Sequence, residues 1–426
     1  MTDSSHRPHA AWTSDQAESL LLQRERFGMR FGLDRIRRLL NVLELPAIPF
    51  PTVHVVGTNG KSSTTRMIAA LLERHGLRTG CFTSPHLLSY RERIRIAERD
   101  IEPERFAAQI ERTVHAADLV DRSQGDPSDR VTQFELLTAA ALAEFARERV
   151  DVGVLEAGLG GRFDATNAVA SQVVVLTNVG LEHTRYLGPT IAHIAREKLA
   201  VVRAGATLVV GPQLHPDARA LVEQTVAEQS ATLVVVADDA DSDFSLRARG
   251  AYQRRNFAVA CAAARALLGR QLDGAAVADA AATVTVPGRF EVREGAPTMI
   301  LDTAHNPSAI AALAESLPEV VAGRRLVTIV SILDDKDAAT MLALLAEHSD
   351  ALVATASTSR RALPAATLSS LAEQVGAPSG IVEPDPRKAL TLAQRLAGED
   401  GVVLVTGSTY LLADLLREPG GQGSEF

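Results

Sequence analysis

Residues 54–65, HVVGTNGKSSTT, restrict the possible folds of this chain more than any other stretch. A short apolar run at 53–56 precedes Gly57-Thr58-Asn59-Gly60-Lys61-Ser62-Ser63. Met67, Ile68, Leu71 and Leu72 then recur at helical spacing. Strand, glycine loop, Lys-Ser and helix in that order form the grammar of a phosphate-binding loop. Glycines let backbone N–H groups turn inward, the helix N-terminus adds partial positive charge, and Lys61 adds a full one. A hydroxyl beside the lysine can reach a Mg²⁺ carried by a nucleotide. The competing reading is an ordinary strand-to-helix turn with a chance Gly-Lys-Ser. The strand before and the helix after favour phosphate binding.

The 426 residues predict two or three domains. Lys and Arg total 44 against 52 Asp and Glu, a net charge of −8, which argues against a nonspecific nucleic-acid binder. Cys81 and Cys261 lie far apart in apolar surroundings and read as buried thiols in a reducing compartment. The polar N-terminus has no apolar signal core, and no run of about 18 apolar residues is present. The expectation is a soluble cytoplasmic protein with no membrane partner. Residues 1–20 are expected to be loose, and 420–426 read as a flexible tail.

In chain order, a helix is expected over 30–43, ended by Pro46 and Pro49. Strands are expected at 53–56, 79–83 and 91–96, helices at 106–119 and 134–145, and a polar loop at 124–129. The pure apolar runs 152–155 and 173–177 suit parallel strands covered on both faces. Residues 208–210 and 232–236 read as further strands and 256–268 as an alanine-rich helix. Pro287-Gly288 marks a linker. The alternation then restarts, with strands at 299–301, 326–332, 351–354, 380–382 and 402–405. The fold class is therefore α/β: an N-terminal parallel-sheet domain of P-loop ATPase type over 1–287, and a smaller Rossmann-like domain over 288–426.

Ser84, Glu156 and His183 each follow an apolar strand, so a parallel sheet sets all three on the edge that carries the phosphate loop. An oxygen, a carboxylate and an imidazole form a reasonable Mg²⁺ shell, although imidazole is unusual for a hard ion. Singly, each is better explained by solvation or helix capping; together at three strand ends, ligation is favoured. Lys198 lies on a helix starting near Thr190, where a lone lysine is usually a solvated surface residue. Asp302-Thr303-Ala304-His305-Asn306-Pro307 follows a strand of the second unit, with an Asp N-cap and a turn proline as the plain alternative.

Nine segments in order, GTNGKSS, TSPHL, TQFE, LEAGLGGRFDATN, LTNVGLEHTRYLGPT, IAREK, PGRFEV, DTAHNP and VTGSTYL, resemble the folylpolyglutamate synthase/dihydrofolate synthase family. That family belongs to the Mur-ligase-like amide-forming ligases, and the resemblance runs from about residue 30 to about residue 416. It implies that ATP phosphorylates a substrate carboxylate and that the amine of L-glutamate then attacks the acyl phosphate. It implies that Gly57, Thr58, Asn59, Gly60, Lys61, Ser62 and Ser63 cradle the ATP phosphates. Asn256, Arg289 and Asp302 would hold ATP from the hinge and second domain. Ser84, Glu156 and His183 match the family's magnesium ligands, with two Mg²⁺ ions expected. Lys198 matches a lysine carried as a carbamate, and His305 matches a histidine near the incoming glutamate. Lys61, Lys198, Asp302 and His305 would thus carry the catalysis. Gly32, Leu33, Asp34, Arg35, Thr132, Gln133, Phe134, Glu135, Phe163, Asp164 and Ala165 would hold the pterin side. The family likeness suggests a monomer.

The chain departs from the family pattern at Ser62, which replaces a glycine and becomes a candidate Mg²⁺ ligand itself. DTAHNP also replaces DGAHNP, and EKLAVV replaces the usual EKAGI. Two other readings stay open: a Mur-type ligase with a non-folate carboxylate acceptor, and a nucleotide-binding regulator. The intact Lys61, Glu156, His183 and Asp302 argue against the regulator.

Overall fold

The computed structural model describes residues 12–25, 30–123, 129–237, 245–377 and 380–417. Their apolar runs assemble into two sheets. The first contains β1 (Thr52–Val56), β2 (Thr79–Phe82), β3 (Ile94–Ile96), β4 (Arg99–Asp100), β5 (Val152–Glu156), β6 (Val173–Leu176), β7 (Thr207–Val210) and β8 (Thr232–Val235). Its spatial order is β4-β3-β2-β5-β1-β6-β7-β8. The second contains β9 (Glu291–Arg293), β10 (Thr298–Leu301), β11 (Leu326–Val330), β12 (Ala351–Ala354), β13 (Gly380–Val382) and β14 (Val402–Thr406), in the order β13-β12-β11-β14-β10-β9. Only the short edge pairs β2–β3, β3–β4 and β9–β10 run antiparallel.

The uninterrupted apolar character of β1, β5 and β6 follows from burial on both faces. Val53 and Val55 pack with Met67, Ile68, Leu71 and Leu72 of helix Lys61–Arg74 and with Phe257 of helix Ala251–Leu268. The helices Ser14–Glu25, Asp34–Val42, Pro103–Ser123 and Gln133–Arg147 share a separate core that includes Phe82, Leu155 and Tyr90. In a doubly wound sheet, ligands gather at the carboxyl edge where the winding reverses. Here that place is β1, with β5 on one side and β6 on the other. The second sheet follows the same plan, with Ile300, Val330 and Leu404 buried against the helices Pro307–Ser316 and Ala338–Ala346.

Some local expectations change. Part of the segment expected to be loose is helical, from Ser14 onward, because Ala17 and Leu21, four residues apart, are fully buried. The helix expected over 30–43 begins only at Asp34, since Gly32 has φ +126°, outside the helical region. The strand expected over 91–96 starts at Ile94. A capping box between Ser89 and Glu92 makes a 3₁₀ turn of Tyr90–Arg93 instead. Residues 1–11, most of the polar loop at 124–129, and the tail at 420–426 lie outside the described residues. Among the described residues no helix is long and apolar enough to cross a membrane.

Candidate active site at the facing sheet edges

The phosphate loop leaves β1 through Gly57 at φ +153°, where a Cβ would stand 1.9 Å from Thr177 Oγ1. Gly60 sits at φ +79°, and a Cβ there would meet Asn256 Oδ1 at 2.5 Å. Both positions demand glycine, for conformation and for space. Gly60 caps the helix Lys61–Arg74 without a side-chain hydrogen bond, so the first N–H groups of the helix face the loop uncapped. Lys61 Nζ folds back to donate to Thr58 O at 3.0 Å. Thr58 to Ser63 line a cavity of about 390 Å³. Asn256, Arg289 and Asp302 line it too, 200 residues or more along the chain from the loop's centre in the case of Arg289 and Asp302. Neither Gly57 nor Lys198 lines this cavity.

Glu156, at the end of β5, is 1 % exposed. Its carboxylate accepts from Ser62 Oγ and from the Ser84 backbone N–H, both at 2.9 Å. Burial pushes its carboxyl up, against the pull of Lys61 and of those two bonds. A buried carboxylate held this way is short of positive charge, which suits a cation beside it. Ser63 Oγ, also buried, has no partner. Ser84 Oγ accepts from Arg93 Nη1 at 3.3 Å. His183 sits at φ +50°, a left-handed conformation costly for a residue with a Cβ, at the start of the short helix Thr184–Leu187. Burial, with Lys336, Lys61 and His305 nearby, lowers it to about 4 against the opposing pull of Glu182, leaving a neutral ring able to ligate. Among the described residues no three His, Cys, Asp or Glu side chains gather to hold a metal ion on their own. One carboxylate, one imidazole and hydroxyls instead fit an ion that keeps waters and nucleotide oxygens in its shell.

Lys198, expected on grounds of residue type to be solvated, is instead buried and donates to Gly57 O at 2.6 Å. Burial and the neighbouring charge of Lys61 bring it down to about 7. A lysine tuned that low exposes a nucleophilic amine near neutral pH.

A second cavity, of about 450 Å³, lies beside the first. Thr132, Gln133, Phe134, Glu135, Phe163, Asp164 and Ala165 line it. Gly32, Leu33, Asp34 and Arg35 do not, whereas Arg30 and Phe31 do. Arg35 is spent inside the protein: Nε donates to Glu135 Oε1 at 3.1 Å and Nη1 to Asp129 Oδ1 at 2.6 Å. It braces the wall rather than facing the space. Phe31 and Phe163, both in the lining, meet edge-on at 5.7 Å, and Tyr186 stands 6.4 Å from Phe31, with all three rings half exposed. Such rings can receive a flat aromatic ligand. The two cavities share Ser84, Pro85, Gly158, His183 and His305.

Asp302 accepts from Tyr252 OH at 2.6 Å and from the N–H groups of Phe290 and Ala304, both at 2.7 Å. Burial raises its carboxyl, with Tyr252 and Arg289 pulling the other way. Tyr252 carried no sequence signal. His305 reaches across to the first unit, its Nε2 3.0 Å from Glu182 Oε1. Glu182 was also missed, although it directly precedes His183 at the same strand end. Burial opposes its ionisation, but the bond and charge of His305, with His183 and Lys61, win and hold its carboxyl far below the usual carboxylate range.

Residues 55–210 match the Mur ligase middle domain, and residues 288–409 match the Mur ligase glutamate ligase domain. The dihydrofolate synthase/folylpolyglutamate synthase of Mycobacterium tuberculosis is 35% identical over 82% of this chain and 81% of its own length. The folylpolyglutamate synthase of that organism, solved with ADP, superposes with a TM-score of 0.88 at 34% identity, covering 97% of this chain and 99% of that one. Escherichia coli FolC in complex with DHPP and ADP superposes at 0.83 and 29% identity, covering 94% and 96%. A bifunctional folylpolyglutamate synthase/dihydrofolate synthase with Mn, AMPPNP and L-glutamate bound superposes at 0.81 and 30% identity, covering 96% and 99%. Matched by both Mur ligase domain models and 35% identical to a relative over most of both chains, this chain belongs to the dihydrofolate synthase/folylpolyglutamate synthase family of ATP-dependent Mur-type ligases.

Proposed function

We propose that this protein joins L-glutamate to the carboxylate of a dihydropteroate or folyl acceptor, with ATP as the driving substrate. The observation that carries the reading is the meeting of the polar and apolar cavities at Ser84, His183 and His305. A γ-phosphate on the loop side and a carboxylate on the apolar side would come together only there. The relatives carry folate names, so a non-folate acceptor is not favoured. We take 1–287 and 288–426 as the working domains, with Pro287-Gly288 between them.

In this reading Gly57 to Ser63 and Lys61 hold the phosphates, while Asn256, Arg289 and Asp302 hold the rest of the nucleotide. The acceptor's ring system lies among Phe31, Phe134 and Phe163. Its carboxylate oxygen attacks the γ-phosphorus, the bond to the bridging oxygen breaks, and ADP leaves. The glutamate amine then attacks the acyl carbon, phosphate leaves, and the amine proton passes to solvent. His305 stands at the wall that the two cavities share, where the incoming amino acid would pass. Closing the cleft excludes water from the acyl phosphate. Ser84, Glu156 and His183, with Ser62, would hold Mg²⁺, with two ions in all. Such ions offset the repulsion between phosphate and carboxylate. Lys198, with its depressed amine, is suited to react with CO₂ and become a carbamate.

The test is ADP release by the purified protein with dihydropteroate or a folate, with and without L-glutamate. Release that requires both substrates supports the reading. Turnover with neither pterin nor folate, but with another carboxylate, would overturn it.

A further inference from the structure

Three loops from two different sheets converge on one oxygen atom. Glu182 follows β6 in the first sheet, His305 and Asn306 follow β10 in the second, and Lys336 follows β11. Glu182 Oε1 lies 3.0 Å from His305 Nε2, 3.2 Å from Asn306 Nδ2 and 3.7 Å from Lys336 Nζ. His183 Nε2, on the same loop as Glu182, stands 3.9 Å away. The Glu182 side chain is 8 % exposed, so these partners replace water almost completely. The far nitrogen of His305 lies 2.9 Å from Thr303 O. A carbonyl and a carboxylate only accept, so both contacts are satisfied when the ring donates from both nitrogens.

Asn306 ties this cluster to the phosphate loop. Its Nδ2 donates to Asn59 Oδ1 at 3.0 Å, and Asn59 Nδ2 donates to Ser308 Oγ at 2.9 Å. Asn306 Oδ1 also caps the helix Pro307–Ser316 by accepting from Ala309 N at 2.8 Å. The start of one second-unit helix is therefore pinned to the first unit at two points, Asn59 and Glu182.

We infer that Glu182 is a positioning residue: it docks His305, Asn306 and Lys336 of the second unit on the first and so shapes the end of the site that receives the amino acid. His305 and Lys336 line the acceptor-side cavity, and Glu182 itself lines only the nucleotide-side one. A carboxylate at that position sets their placement without occupying the acceptor space. The docking rests on geometry alone, and the amino-acid role rests on the ligase reading above.

Glu182→Gln keeps the shape and removes the charge. In the full-length enzyme it should raise KM for L-glutamate about tenfold or more while KM for ATP stays within about twofold. Calorimetric ADP affinity should change less than the L-glutamate KM, because the phosphate loop takes its shape from Gly57 and Gly60 rather than from the Asn59–Asn306 bond. Glu182→Asp should recover part of the loss. Small-angle scattering of the unliganded protein should show a more open envelope for Glu182→Gln than for the wild type. An unchanged L-glutamate KM in an active enzyme overturns the amino-acid role, and so does an equal rise in both KM values. Superimposable scattering profiles overturn the docking. A wild-type protein that forms no amide at all sinks the ligase reading, and scattering still decides the docking.

Discussion

The nucleotide-side cavity and the acceptor-side cavity touch, yet they are built in opposite ways. The first takes six of its lining residues from one unbroken stretch, Thr58 to Ser63, and its lining is about as polar as it is apolar. The second is assembled from pieces at 24, 30–31, 84–93, 132–135, 158–165, 183–197, 305, 333–336, 361 and 408–410, and its walls are mainly apolar. A contiguous loop fixes its geometry through backbone torsions, as Gly57 and Gly60 do. A dispersed wall depends on braces such as Arg35–Glu135 to hold distant segments in place. The nucleotide side should therefore fail sharply when one residue changes, and the acceptor side should fail by degrees.

The sharpest break should come from Lys61→Ala, with ADP formation down by about a thousandfold or more and circular dichroism unchanged. Wild-type turnover in that variant would remove the phosphate-loop assignment. Next comes Lys198→Ala, expected to cost about a hundredfold and to be partly restored by short carboxylates that substitute for a carbamate. Full activity without them would refute the carbamate role. The same residue sets a pH limit. Burial brings the amine down to about 7, so it is neutral above that pH and protonated below it. Activity should fall as pH drops below about 7, and a profile flat down to pH 5.5 would count against the role.

On the acceptor side, Phe163→Ala should raise the acceptor KM by about tenfold while leaving ATP KM alone, since one of three rings is lost. An effect on ATP as large as on the acceptor would blur the two cavities into one. The smallest effect concerns stability. His54 is buried in β1, its Nε2 2.7 Å from Thr166 Oγ1, and burial lowers it to about 3. The unfolded chain takes up a proton near pH 6.5 and the folded chain does not. Stability should thus fall as pH drops from 6.5 toward 3, by up to about 1.4 kcal/mol per unit from this one group. Denaturant midpoints of wild type and His54→Gln at pH 7.5 and 5.5 check this, and an equal pH dependence in the two proteins would refute it.

Much of the site was legible because parallel sheets place strand ends together. Ser84, Glu156 and His183 could be grouped from the sequence, each lying at or a few residues past the end of an apolar strand. Lys198 was harder. Residue type placed it in solvent, and only the family likeness set it at the site, because its partner Gly57 O is 141 residues away. Arg35 failed in the other direction: the resemblance put it in the acceptor wall, and its bonds to Asp129 and Glu135, about 100 residues on, turned it inward. The helix from Ser14 was missed because only Ala17 and Leu21 mark its buried face.

The sequence by itself determined the phosphate loop, the two runs of alternating strands and helices, and the family. Those features depend on near neighbours along the chain, where glycine torsions and apolar spacing act directly. The tertiary structure decided that Glu182 faces His305 and Lys336, that the two cavities open into each other, and that Lys198 is dry enough to lose its proton near neutral pH. Each of these depends on which distant groups exclude water from one another, and burial of that kind exists only once both sheets are packed.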